Sequence, residues 1–155
     1  MGILKQRLRT DLTAAMKAHD ELAKSTIRMA LAALQYAEVA GDQARELSEA
    51  EEIAVLTKEQ RNRTESAETY AAAGRPEFAE KETAEADFLA RYLPQPLTPE
   101  ELAELVSAQI AKAAADLGSQ PGMKQMGGIV RAVNEQAAGR ADGKTIASLV
   151  KARLT

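Results

Sequence analysis

Pro94-Gln95-Pro96-Leu97-Thr98-Pro99-Glu100-Glu101 holds a helix stop and a helix start within eight residues. Pro94 and Pro96 lack a backbone N–H and bias the residue before each toward extended backbone, so a helix arriving from the N-terminal side ends here. Thr98 then offers a side-chain oxygen to first-turn amides and Pro99 suits the first helical position. Glu101 can reach back to Thr98, completing a capping box. This stretch divides the chain into residues 1–93, a linker at 94–97, and residues 98–155.

Toward the N-terminus, apolar residues recur at helical spacing. Ile3, Leu4, Leu8, Leu12 and Met16 predict a first helix ending near His19-Asp20. A second runs from about Leu22 to Val39, with Ile27, Ala30, Leu31 and Leu34 inward, and stops at Gly41. Ser48 and Glu51 form another capping box. The long helix behind it has Ile53, Leu56, Gln60, Arg63, Ala67 and Tyr70 on a seam and ends at Gly74. Pro76 opens a fourth helix carrying Phe78, Phe88, Leu89 and Tyr92. Toward the C-terminus, a helix from Thr98 shows Leu102, Leu105, Val106, Ile110 and Leu117 and closes at Gly118. After the loop at 118–122, a helix with Met126, Ile129, Val130 and Val133 ends at Gly139, and a last one holds Ile146, Leu149, Val150 and Leu154. The expected fold is all-α: a four-helix domain, a proline linker and a three-helix bundle.

Composition agrees. Alanine, the best helix former, occurs 32 times among 155 residues, against two Phe, three Tyr and no Trp. The absence of cysteine excludes disulfides, thiol nucleophiles and cysteine metal sites, and the single histidine, His19, leaves no histidine cluster. No metal or cofactor is expected. No stretch approaches the length of apolar residues a membrane span needs, so the chain reads as soluble and cytoplasmic with no membrane partner.

The net charge of −3 is uneven. Residues 119–155 carry Lys124, Arg131, Arg140, Lys144, Lys151 and Arg153 against Glu135 and Asp142, a local excess of +4. Such an excess fits a polyanion-binding end, and it also occurs on helical domains that bind nothing.

Few groups could carry catalysis. Gly139-Arg140-Ala141-Asp142-Gly143-Lys144-Thr145 ends like a phosphate loop, but the first glycine falls one place late and an alanine-rich helix, not a strand, precedes it. The structural reading has Gly139 ending one helix and Asp142 capping the next, with Arg140 and Lys144 beside a helix N-terminus, where free amides attract anions. The acidic groups Glu49/Glu51/Glu52 and Glu80/Glu82/Glu85 read as solvated outer faces. Lys58, Arg61 and Glu65, with Asn62 and Ser66 beside them, read as surface ion pairs in preference to a binding face. No serine lies in a nucleophile elbow. No catalytic residue is assigned.

Taken in order, the following segments resemble the GatB/YqeY family nearly end to end: Asp11-Leu12 with Ala15-Met16-Lys17; Ile27-Arg28-Met29; Gln60-Arg61 with Glu65-Ser66; Tyr70 with Gly74-Arg75; Arg91-Tyr92-Leu93-Pro94; Met126-Gly127; Gly139 to Gly143; and Val150-Lys151. Stand-alone members are similar to the tail region of the B subunit of the glutamine-dependent amidotransferase that converts misacylated glutamyl- or aspartyl-tRNA. That tail is a helical appendage that helps hold the tRNA. The resemblance implies an association with carbon–nitrogen ligase activity using glutamine as amido donor, exercised within a complex and not by this chain alone. Where the family reads Met-Gly-Lys-Val-Met, this chain has Met126-Gly127-Gly128-Ile129-Val130, one lysine fewer.

The expected function is thus a tRNA-binding accessory module. Lys124, Arg131, Arg140, Lys144 and Lys151 would contact phosphates, and Gly127, Gly139 and Gly143 would let backbone and phosphate approach. The expected partners are tRNA and either amidotransferase subunits or another protein; duplex DNA is not an expected ligand. With no aromatic residue in 98–155 to stack on bases, specificity would rest on RNA shape. The alternative is a helical protein–protein interaction module with no RNA ligand.

Overall fold

Seven α-helices and no strand make up the computed structural model, which describes residues 1–155: α1 Ile3–Ala18, α2 Glu21–Val39, α3 Glu49–Ala72, α4 Pro76–Leu89, α5 Pro99–Leu117, α6 Met126–Ala137 and α7 Gly143–Leu154. Single 3-10 turns follow α4 at Ala90–Tyr92 and precede α6 at Met123–Gln125. The chain is all-α. It falls into two compact units, Met1–Leu93 and Pro94–Thr155.

In the first unit, local chemistry sets the helix ends. His19 takes a left-handed conformation (φ 55°) after α1, and the Asp20 side chain accepts from the Ala23 N–H at 3.1 Å to cap α2. The Ser48 hydroxyl accepts from the Glu51 N–H at 3.2 Å while the Glu51 carboxylate accepts from the Ser48 N–H at 2.8 Å, so the capping box ahead of α3 is complete. Gly74 carries φ 73° at the α3–α4 turn, and Pro76 begins α4. Leu4, Leu8, Ile27, Leu34, Leu56, Phe88 and Leu89 form the centre of the core.

Two of the glutamates read as solvated are buried, which corrects that expectation. Glu52 accepts from the N–H groups of Leu4 (3.3 Å) and Lys5 (2.9 Å), so its carboxylate seats on the open N-terminus of α1. Gly2, the N-cap of α1, has no side chain to cap with, and a Cβ there would collide with the Glu52 carboxylate. Glu85 accepts from Arg63 Nε at 3.2 Å. Arg63 is itself buried and donates through Nη1 to the Glu59 carboxylate at 2.8 Å and through Nη2 to the Met29 sulfur at 3.4 Å. A buried guanidinium is tolerated because each nitrogen finds an acceptor.

The second unit has an aliphatic core: Leu102, Val106, Ile129, Val133, Ala137, Ile146 and Val150. The Thr98–Glu101 capping box forms, with N–H to side-chain distances of 3.0 and 3.1 Å, and Gly118 closes α5 at φ 76°. Leu117, read as an inward position, is exposed at that helix end. α6 ends at Ala137, two residues before the expected glycine, because Ala138 already turns left-handed (φ 49°) and Gly139 continues the turn (φ 81°). No helix is long and apolar enough to cross a membrane.

Candidate functional site

The cationic residues of the second unit divide by what holds them. Lys124, Arg131, Lys144 and Lys151 have exposed side chains, and none forms an ion pair. Lys124 sits in the 3-10 turn leading into α6, Arg131 on the exposed side of α6, and Lys144 and Lys151, seven apart, on one stripe of α7.

Arg140 is held differently. Its Nε donates to the Gln95 carbonyl at 2.7 Å, and its own carbonyl accepts from the Leu97 N–H at 2.8 Å. The α6–α7 loop thereby straps the proline segment to the second unit. This bond satisfies a carbonyl between two prolines, where no helix or sheet can supply a donor. Arg140 thus has a structural bond through Nε.

The glycines also separate. Gly139 has a left-handed φ that a side chain would resist, so its backbone explains it. Gly143 opens α7, and a Cβ there would meet Asn134 Oδ1 at an ordinary 3.9 Å. Gly127 and Gly128, in the first turn of α6, have helical backbone and open space: nothing lies within 4 Å of a Cβ at either position. Two adjacent helical glycines cost about 1 kcal/mol each relative to alanine. Neither packing nor φ requires them.

Asp142 occupies the N-cap position of α7, where its carbonyl accepts from the Ile146 N–H at 3.0 Å, but its side chain makes no capping hydrogen bond to the helix. The cap is one of position and backbone.

Beside Gly128 lies a shallow cleft of about 470 Å³ between α5, the 3-10 turn and α6. Ala113, Ile129 and Ala132 form its floor, with Lys112, Asp116 and Lys124 at the rim. Lys112 is absent from the residues expected by sequence reasoning, although a signal for it exists. Gln109, Lys112, Ala113 and Asp116 follow helical spacing along one face of α5. The cleft brings Lys124 together with Lys112 and Gly128, but it does not include Arg140, Lys144 or Lys151.

In the first unit, residues singled out by resemblance pair with one another. The Tyr92 hydroxyl donates to Asp11 Oδ2 at 2.5 Å, while Arg7 lies over the Tyr92 ring at 4.7 Å. Burial, reinforced by the Asp11 carboxylate, pushes the Tyr92 phenol well above its ordinary range. Gln60 donates to the Ala86 carbonyl at 3.1 Å, tying α3 to α4. Tyr70 stacks on Phe78 at 5.2 Å, with Arg75 over Phe78, at the exposed end of the α3–α4 hairpin. Lys58, Arg61, Asn62 and Glu65 lie on the exposed side of α3.

The family model described as Yqey-like protein matches residues 5–154. No curated protein matches the chain. The match runs through all seven helices and both units, so the chain belongs to the YqeY-like family.

Proposed function

We propose that the chain is an RNA-binding accessory to glutamine-dependent amidotransfer on tRNA, with the second unit holding the nucleic acid. One observation carries this reading: Lys124, Arg131, Lys144 and Lys151 are exposed and form no ion pair, in a stretch where basic residues outnumber acidic ones. Unneutralised cations on a rigid helical surface attract phosphates and release counterions on binding. Gly127 and Gly128 add support, since bare backbone lets a phosphate approach the α6 N-terminus. Contacts of this kind read shape and charge, with little sequence information. Arg140 is set aside as a phosphate contact. Amide formation belongs to catalytic partner subunits, and this chain supplies binding.

The test is titration of the full chain with bulk tRNA across a salt series, with duplex DNA as comparison. Affinity should fall steeply with salt and favour tRNA. Lys144→Glu plus Lys151→Glu should weaken binding and reduce the salt slope by about 1 for each phosphate no longer neutralised. No binding at low salt, or full affinity in the double variant, overturns the reading. A second reading, a protein-interaction module, draws on the exposed Tyr70–Phe78 pair. It predicts that the double variant keeps its partner.

A further inference from the structure

Leu22, Met29, Tyr36 and Val39 all lie on α2 and are 37%, 50%, 74% and 55% exposed. Their spacings of seven, seven and three place them on one stripe with Ser25 and Ala32, in the a and d positions of a heptad pattern. The other side of α2 is already used: Ala23, Ile27, Ala30 and Leu34 are in the core of the first unit. α2 is therefore apolar on two sides, whereas a surface helix of an isolated domain carries a polar outer face. Between Lys24 and Glu38 the one charged residue is Arg28.

We propose that this stripe pairs with the same stripe of a second copy of the chain, the two α2 helices running antiparallel about a two-fold axis. The order of side chains supplies the argument. Reversing the helix about a point midway between Ala30 and Leu31 sets Leu22 opposite Val39, Ser25 opposite Tyr36 and Met29 opposite Ala32. All three pairs share one axis. Ser25 leaves room for the tyrosine ring, and Ala32 leaves room for the methionine. The stripe is thus complementary to itself, as an isologous interface requires.

Side-chain size selects the direction. In a parallel pair Met29 would meet Met29 and Tyr36 would meet Tyr36, large side chain on large. In the antiparallel pair Arg28 faces the region of Gln35, and the helix dipoles oppose favourably. A single helix pair is smaller than a standard interface, so the dimer is expected to be weak, dissociating in the tens of micromolar.

The experiment uses the full chain in two parts. Sedimentation equilibrium from low micromolar to several hundred micromolar should show a reversible monomer–dimer equilibrium. Tyr36→Glu and, separately, Ala32→Arg should each abolish it; both positions are exposed, so the helical circular dichroism should be unchanged. The second part exploits the absence of native cysteine. When the single variants Ser25→Cys and Tyr36→Cys are mixed under mild oxidation, the mixed disulfide should predominate over either homodimer. A chain that stays monomeric across the range overturns the proposal. So does a dimer indifferent to both charge variants, which would place the interface elsewhere. Efficient self-crosslinking of Ser25→Cys would overturn the antiparallel arrangement. If one variant misfolds, the other and the crosslinking pair decide.

Discussion

Residues 1–93 bury Arg63, Glu52 and Glu85 and set guanidinium groups over the rings of Tyr92, Phe88 and Phe78, whereas residues 94–155 bury no charged side chain and form their core from seven aliphatic residues. The first unit turns three of its charges inward, where they join helices. The second turns its cations outward and, apart from Arg140 on Gln95 and Arg153 on Ser107, leaves them without protein acceptors. Charge held inside sets structure; charge held outside and unpaired is available to a ligand.

The most forceful way to break this contrast is Arg63→Ala. It strands the Glu85 carboxylate, which is 5% exposed, and should destabilise the first unit by about 3–5 kcal/mol. Calorimetry should show one transition falling while that of the second unit holds. A joint shift would mean that the units do not melt independently. The double replacement Arg63→Met with Glu85→Leu should recover most of the stability, since an apolar pair of similar volume removes the desolvation cost.

Ile146→Ala probes the other side. Ile146 is fully buried in a core of seven residues, and its truncation should cost about 3 kcal/mol, seen as accelerated hydrogen exchange across α5, α6 and α7 and not in the first unit. Next in size, Gly127→Ala with Gly128→Ala should stabilise α6 by about 1 kcal/mol per site. The same change should weaken tRNA binding if bare backbone is what meets the phosphate. Unchanged affinity would reduce those glycines to a defect in the helix.

The smallest effect concerns Glu51. The hydrogen bond from Arg45, then that from the Ser48 N–H, holds its carboxyl at about 2, against an ordinary 4.5. Because the folded-state value is depressed, the stabilisation is fully present above pH 4.5 and is lost as pH falls toward 2. Carboxyl carbon chemical shifts should show a midpoint near 2, with fraying confined to the start of α3. A midpoint near 4.5 would show that the cap and the Arg45 pair are not formed in solution.

What the sequence revealed was local. Capping boxes at Ser48 and Thr98, prolines at first helical positions and the glycine stop at Gly118 act over three or four residues, and each is found where its spacing put it, whereas α2 ends at Val39, ahead of Gly41. Most of the apolar seams were legible for the same reason, but Ile3, Met16, Tyr70 and Leu117, at or near helix ends, are exposed. Burial of Glu52 and Glu85 was not, because their partners lie 48, 47 and 22 residues away and a glutamate looks alike on either face of a helix. Arg63 was placed on the inner seam of α3, but its acceptors could not be named. Arg140 resisted reading on the same ground: the carbonyl it serves is 45 residues distant. The early end of α6 escaped because an alanine, not the neighbouring glycine, makes the first left-handed turn.

The Arg63–Glu85 bridge has a consequence for how the chain finds its fold. The later parts of α3 and α4 are rich in alanine, and smooth alanine surfaces discriminate poorly between one helical register and the next. A slip of one turn, about 5.4 Å, would separate the guanidinium from the Glu85 carboxylate and leave that carboxylate against hydrocarbon, while Arg63 kept Glu59 on its own helix. The bridge thus acts as an alignment key: it adds little to the depth of the correct minimum and raises the energy of its near neighbours, so that the α3–α4 hairpin closes in one register.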